Sequence, residues 1–481
     1  MHVAVVGGGI AGLAAAHELA DRDGVTTTVL EAAAHLGGKV RTEPFAGSEL
    51  DTGPDSFLAR RPEALRLCAE LGLTDRLESP ATGGAWLWVG GRLRPIPKAT
   101  LLGLPTDIVA VARAGVLSPV GLARLAASPL LARARQPLAP GVDRSLGSVI
   151  RRGLGDEVHE RLVDPLVGGI NAGNTDELSI DAVAPQLAAA ARRSPDLMAG
   201  ARQLLAAGGH EPGGARDVPA AGPRSGPDQT GPVFYGLTGG MAGLVDALAT
   251  RLDRAGTTVR TTSAVTGITR LGRGWAVATD GGAVVADAVV LATPAHVAAP
   301  LLAPLDAAIA GVLAAIDHAS VTLVAFAWPL AAIPAPLSGS GFLVPRGEGR
   351  LTTACSWSSS KWRHLSSPER ALMRVSVGRA GDGRGEAMDD DELVARLRVE
   401  LGEAMGITAA PSEVRVTRWP DAFPQYAPGH LDRIDAVERA LARRLPGLAL
   451  AGAALRGVGI PACIGSGRTA AKAVVGEKSP T

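Results

Sequence analysis

Cysteine is scarce in this chain. Cys68, Cys355 and Cys463 are the only three, and no two stand in C-x-x-C spacing. That argues against a disulfide framework, a zinc ribbon or a dithiol redox motif, and it fits a reducing compartment. The nine histidines are scattered and none form H-E-x-x-H, so no local metal site is expected. No G-x-S-x-G nucleophile elbow and no Walker A loop occur. Neither sign of charge is in excess: 48 Lys+Arg against 47 Asp+Glu leaves a net charge of +1, which argues against a nucleic-acid protein. Long apolar runs are also missing. The longest uncharged stretch, Ala319 to Pro345, holds Pro329, Pro334, Pro336 and Pro345, and prolines at that density disfavour a membrane-spanning helix. The apolar opening, Met1 to Ala20, has no basic leader and is not read as a signal peptide.

What remains is a globular composition, 46% hydrophobic and 20% charged, in a length that suggests about three domains. The 61 glycines follow no collagen period, so they belong in turns, close packing or phosphate loops. Periodicity predicts an α/β chain. His2 to Val6 and Thr26 to Leu30 read as strands, with a helix over Gly12 to Ala20 between them. Pro62 to Leu71 has helical spacing. Trp86 to Val89 and Arg92 to Ile96 flank Gly90-Gly91 as a hairpin. Leu101 to Ala201 reads as mostly helical, and 208–232 as a flexible Gly/Pro-rich loop. Strands are expected over Val259 to Ile268, Trp275 to Thr279 and Ala283 to Leu291. A further sheet is expected from Leu323 to Trp328, Phe342 to Val344, Leu351 to Trp357 and Leu372 to Val377. Helices follow over Gly239 to Leu252 and Asp389 to Met405. A last strand, Leu448 to Ala451, runs through a loop, Gly452 to Gly459, into a final helix.

Three constellations carry chemistry. Gly7-Gly8-Gly9-Ile10-Ala11-Gly12 is G-x-G-x-x-G placed directly after a strand and before a helix, and Glu31 closes the next strand 19 residues after Gly12. This is the pattern of a dinucleotide site: Gly7 for the tight turn, Gly9 for the approach of a pyrophosphate to the helix N-terminus, Gly12 for close packing, and Glu31 for an adenosine ribose. Next come Gly37-Gly38-Lys39-Val40-Arg41-Thr42, either a second contact with the same pyrophosphate or a surface turn with solvated charges. The third is Leu448 to Ile464, a strand-loop-helix whose helix N-terminus either stabilises negative charge on a reduced ring or is an ordinary turn.

Taken in order, Gly7 to Gly12, Glu31, Gly37 to Thr42, Gly53-Pro54-Asp55-Ser56-Phe57, Val265, Trp419 and Gly457-Val458-Gly459-Ile460 resemble the amine-oxidase-like flavoprotein superfamily. Leu166-Val-Gly-Gly-Ile-Asn-Ala-Gly173, Thr417-Arg-Trp-Pro, Pro424-Gln-Tyr426 and Gly457 to Cys463 resemble its porphyrinogen oxidases, and most of all the coproporphyrinogen III oxidases of Gram-positive bacteria. The resemblance implies an α/β (α+β overall) protein with a discontinuous Rossmann-like FAD-binding domain (1–51, 233–300, 418–481). It also implies a mixed-sheet substrate domain (52–100, 301–417) and an inserted helical domain (101–207). It implies non-covalent FAD, held by Gly7 to Gly12, Glu31, Ala32, Gly38, Lys39, Arg41, Gly53, Pro54, Asp55, Ser56, Val265, Trp419, Gly452, Gly457, Val458, Gly459 and Ile460.

The implied activity is the six-electron oxidation of coproporphyrinogen III to coproporphyrin III in heme biosynthesis, with O2 as acceptor and H2O2 as product. Alternatives are a protoporphyrinogen IX oxidase, an amine oxidase, or a non-catalytic flavin and porphyrin carrier. The 3% aromatic content disfavours the cage an amine oxidase builds around a cation. No acid-base residue stands out, because the flavin performs the chemistry. Arg60 and Arg61 either meet the substrate's propionates or are solvated cations at a helix start. Lys361, Arg363 and His364 beside Trp362 read better as a surface turn. Cys463 and Cys68 read as buried structural thiols. Leu101 to Leu138, with Arg113, Arg124, Arg133 and Arg135, suits either an anionic membrane surface or a channel wall. A cytoplasmic protein is expected, with peripheral contact at the inner face of the cell membrane and heme-pathway enzymes as partners left open.

Overall fold

The computed structural model describes residues 1–207 and 231–476; the loop expected over 208–232 lies, up to residue 230, outside them. The chain forms two compact units, one of residues 1–79, 231–317 and 431–481, the other of 80–230 and 318–430.

The first unit is built on a five-stranded parallel sheet. Its order is Thr258–Arg260, Thr26–Leu30, His2–Val6, Ala288–Leu291, Leu448–Leu450. A parallel sheet buried on both faces needs strands that are apolar throughout, and His2–Val6 shows why. Val3 and Val5 face a core with Leu13, Leu244 and Ile464. Ala4 and Val6 face the opposite core with Trp275 and Leu441. On the first face lie the helices Ile10–Ala20, Ala242–Arg254 and Ile460–Val474. Their small residues let them approach closely: a Cβ on Gly467 would stand 2.0 Å from the Ala11 carbonyl oxygen. The other face carries an antiparallel meander, Val265–Leu271, Gly274–Thr279, Gly282–Ala286.

Two expected strands are each divided in two. The run Val259 to Ile268 gives Thr258–Arg260 to the parallel sheet and Val265–Leu271 to the meander. The chain turns between them at Thr262, whose φ is +51°. Likewise Ala283 to Leu291 breaks at Asp287, whose carboxylate accepts the His2 N–H at 2.6 Å. Only short polar interruptions, Arg260-Thr261-Thr262-Ser263 in one and the single Asp287 in the other, mark the junctions, and periodicity tolerates these within a half-buried strand.

The second unit holds a seven-stranded mixed sheet. Its order is Glu413–Pro424, His318–Pro329, Arg370–Val377, Thr352–Ser356, Gly341–Leu343, Trp86–Val89, Arg92–Pro95. The Trp86–Val89 hairpin forms as expected, closing at Val89 opposite Arg92. The long uncharged run supplies a sheet strand: Val324, Phe326 and Trp328 alternate into a core with Leu393, Leu397 and Leu401 of the helix Asp390–Met405. A helical segment follows from Ile108 to Ala206, packed around its own apolar cluster. It contains a ten-residue π-helix, His159–Gly168, with Pro165 inside. Among the described residues no helix is long and apolar enough to cross a membrane.

Candidate functional site

The fingerprint sits where the parallel strand His2–Val6 ends. Gly7 turns the chain with φ +107°, and a Cβ there would come 2.8 Å from the Ala292 carbonyl oxygen. A Cβ on Gly12 would stand 1.9 Å from the Gly7 carbonyl oxygen, so Gly12 lets the helix fold back over its own turn. Gly9 is different: nothing lies within 4 Å of where its Cβ would be. Gly9 also caps the helix Ile10–Ala20 without any side-chain hydrogen bond. The first-turn N–H groups and the positive end of the helix dipole are thus left facing open space.

Glu31 closes the second strand beside this turn. Its Oε2 accepts the Gly8 N–H at 2.6 Å and its Oε1 accepts the Ala33 N–H at 2.7 Å. Each oxygen keeps lone-pair capacity beyond these bonds. The Glu31 carbonyl accepts the Ser263 N–H at 2.8 Å, two residues before Val265. Ala32 is exposed.

The second glycine pair joins the first. The Gly37 N–H donates to the Gly8 carbonyl at 2.8 Å, and a Cβ on Gly38 would come 3.3 Å from the Gly9 Cα. Both loops thus border the same opening. Lys39 follows, half-buried, with no carboxylate paired to it among the described residues. Burial pushes its ammonium below the ordinary lysine value, and the Cys463 thiol acts in the opposite direction. Arg41 lies 3.4 Å from His35 Nδ1 and 3.7 Å from Glu43.

Gly53 to Ser56 are held against the same stretch. A Cβ on Gly53 would stand 1.8 Å from the Lys39 carbonyl oxygen, and the Thr52 N–H donates to the Arg41 carbonyl at 3.0 Å. Asp51 Oδ1 accepts from Thr42 Oγ1 at 2.6 Å and from the Met241 N–H at 2.8 Å. This ties the hairpin to the start of Ala242–Arg254. Pro54 and Asp55 follow half-buried, and Ser56 Oγ donates to Asp55 Oδ1 at 2.9 Å.

The C-terminal loop reaches the same sheet end. The Ala451 N–H donates to the Leu291 carbonyl at 2.9 Å. Gly452 then leads into a short helix, Ala453–Arg456, where the sequence suggested only loop. Gly457 and Val458 lead to Gly459, which caps Ile460–Val474 without a side-chain bond. Cys463 is buried in that helix, its thiol pushed up to about 11 by burial, with Lys39 acting the other way. It is therefore a protonated, poorly reactive thiol at neutral pH.

Arg60 and Arg61 are exposed, Arg61 capping Pro62–Glu70. Trp419 belongs to the second unit, on Glu413–Pro424 opposite Val321, and is half-buried. Sequence reasoning missed Thr293, just past the strand Ala288–Leu291. Its Oγ1 is buried and has no hydrogen-bond partner among the described residues. The signal was there: a polar residue after the carboxyl end of a parallel strand, where ligands of such sheets bind.

The first unit therefore offers an open backbone cradle, two helix N-termini without side-chain caps, a lysine without a counterion and an orphaned hydroxyl. These features fit an extended anionic dinucleotide. The profile of the family "Flavin containing amine oxidoreductase" matches residues 10–475. The chain is 34% identical to the coproporphyrinogen III oxidase of Bacillus subtilis, over 98% of this chain and 97% of the relative. It is 36% identical to that of Propionibacterium freudenreichii, over 98% and 90%. A solved structure from Exiguobacterium sp. 255-15, whose name assigns it provisionally to the protoporphyrinogen oxidases, superposes with a TM-score of 0.84 at 31% identity, covering 98% of each chain. The chain belongs to the flavin-containing amine oxidoreductases: it is an oxidoreductase with a flavin cofactor, and its likeness to porphyrinogen oxidases spans its whole length.

Proposed function

We propose that this protein is an FAD-dependent coproporphyrinogen III oxidase. The observation that carries the reading is the full-length correspondence with the coproporphyrinogen III oxidases of two organisms.

When bound, FAD would supply the two-electron acceptor that three successive oxidations of the porphyrinogen need, with three O2 as terminal acceptor and three H2O2 as product. The chain's own part is binding and placement. Gly9 leaves room for the diphosphate at the N-terminus of Ile10–Ala20, where backbone N–H groups and the helix dipole favour anions. The Glu31 carboxylate, fixed by two backbone donors, accepts from the ribose hydroxyls. Lys39 supplies the counter-charge. Binding is non-covalent in this reading, because the one thiol near Lys39, Cys463, is buried and held protonated. The three free thiols suit a reducing cytoplasm.

The test gives the yellow purified protein coproporphyrinogen III and protoporphyrinogen IX separately, and follows porphyrin fluorescence, O2 uptake and peroxide. Faster turnover of the four-propionate substrate with one H2O2 per O2 is expected. No gain over autoxidation with either substrate overturns the reading.

A further inference from the structure

The motif Leu166 to Gly173 has a structural partner that the flavin cradle does not explain. The π-helix His159–Gly168 ends in a turn closed by the Gly173 N–H on the Gly168 carbonyl, 2.9 Å. A π-helix of this length is unusual and such features concentrate at functional sites. The Ala380 N–H donates to the Ala172 carbonyl at 2.8 Å. Arg346 reinforces the junction, donating from Nη1 to the Ala380 carbonyl at 3.2 Å and from Nη2 to the Gly173 carbonyl at 3.3 Å.

Arg379, the residue before Ala380, is left over. Its side chain is 9% exposed, yet its guanidinium makes no hydrogen bond to any described residue, and its Nε is buried without a partner. The nearest carboxylate is Asp382, 4.0 Å from Nε. That carboxylate is already taken: Arg384 holds it with two bonds of 2.8 Å, from Nε and Nη2. The other acid that acts on Arg379, Asp164, accepts from the Thr175 hydroxyl at 2.6 Å and the Thr175 N–H at 3.2 Å. Arg346 spends Nη1 and Nη2 on carbonyls, its Nε has no partner among the described residues, and it brings a second positive charge without a dedicated acid. Burial first, and then the Arg346 charge, push Arg379 below the ordinary arginine value.

A buried guanidinium with no hydrogen-bond partner is costly, and native proteins almost always satisfy such a group. A carboxylate is the ligand its fork fits best. Beside it lies a small, buried apolar cluster of Ala172, Ala319 and Val321, with Leu323, Ala380 and Phe423 packed on it.

We propose that Arg379, flanked by Arg346, is a carboxylate site of the second unit that takes one propionate of the tetrapyrrole substrate. The inference rests on the porphyrinogen oxidase reading and makes Arg379 a determinant of preference for carboxylate-rich substrates.

The experiment compares wild type, Arg379→Gln and Arg379→Lys as flavin-loaded proteins, with coproporphyrinogen III and with its tetramethyl ester dispersed in detergent. Arg379→Gln should raise KM for the tetracarboxylate roughly 10- to 100-fold, as loss of a charge-assisted hydrogen bond does. Its kcat should change little, Arg379→Lys should recover part of the loss, and the ester should be turned over equally by all three. An unchanged KM in a folded, yellow Arg379→Gln overturns the site. So does an equal loss on acid and ester, which marks a structural role. Should Arg379→Gln fail to fold, Arg379→Lys decides the matter by the same contrast between acid and ester. If inorganic phosphate raises the melting temperature of wild type but not of the variant while KM is unchanged, the site takes a free anion and the substrate assignment falls. A wild type inactive on every porphyrinogen overturns the functional reading itself, and this inference with it.

Discussion

The Gly37 N–H donates to the Gly8 carbonyl at 2.8 Å, and that single bond joins two glycine loops that the sequence keeps apart. It makes the second loop a wall of the first. The opening they share is bordered by the Gly9 backbone and continues toward Lys39, so the cradle is defined by backbone position more than by side-chain identity.

That geometry separates two glycines that look equivalent in the motif. Gly9→Val adds a side chain into open space, whereas Gly12→Val drives one into the Gly7 carbonyl. Gly9→Val should keep an apoprotein melting temperature near that of wild type and lose bound flavin, read as the ratio of 450 to 280 nm absorbance. Gly12→Val should be destabilised by about 1–3 kcal/mol or more from overpacking alone. Full flavin content in Gly9→Val would count against the placement of the diphosphate.

Lys39 offers an independent check. Its charge is partly buried and has no acid paired to it among the described residues, so in the apoprotein it is a cost rather than a support. Lys39→Met should leave apoprotein stability unchanged or raised while weakening FAD binding by roughly 10-fold, the scale of one charge-assisted contact. Titration of apoprotein with FAD, followed by flavin fluorescence quenching, measures this. An unchanged dissociation constant would remove Lys39 from the site.

Much of the first unit was legible because its chemistry is local. The strand His2–Val6, the fingerprint and Glu31 lie within one βαβ stretch, where hydrophobic runs and glycine spacing report directly on backbone geometry. Elements that depend on long-range pairing were less so. The strand Glu413–Pro424 was not foreseen, since Arg415, Arg418 and Pro420 suit its place at the sheet edge but break the apolar pattern that marks a buried strand. The hairpin Thr42–Phe45 and Ser48–Asp51 hid inside a motif read for its charges. Arg379 could not be seen at all: nothing in its neighbourhood in the chain says that Asp382 is claimed by Arg384 rather than by Arg379. Lone arginines become informative only once their possible partners are known to be engaged elsewhere.

The π-helix carries a pH dependence whose sign follows from its hydrogen bonds. His159 is 2% exposed, and its Nε2 lies 2.7 Å from Thr175 Oγ1. The Thr175 hydroxyl donates its proton to Asp164, so it accepts from His159, which places the proton of the neutral ring on Nε2. Nδ1 is buried with no partner among the described residues, and a second proton there would meet no acceptor among them. Burial, and after it the Arg151 charge, hold His159 below its ordinary value of 6.5, while Asp176, Asp164 and Glu160 oppose them. In the unfolded chain the ring titrates near 6.5. Above that pH both states are neutral and the full contribution is present. As pH falls below it toward the depressed folded value, the unfolded state takes up a proton that the native state refuses, and stability is lost. The carboxylates of Asp176 and Asp382 are also depressed, but their contribution is lost only below about pH 4, in a separate window. Wild type should therefore lose more melting temperature between pH 6.5 and 5.5 than His159→Gln, whose amide can still donate to Thr175 but does not titrate. Thermal unfolding of both proteins across pH 7.5 to 5 measures the difference, and parallel curves would show that His159 is not the titrating group.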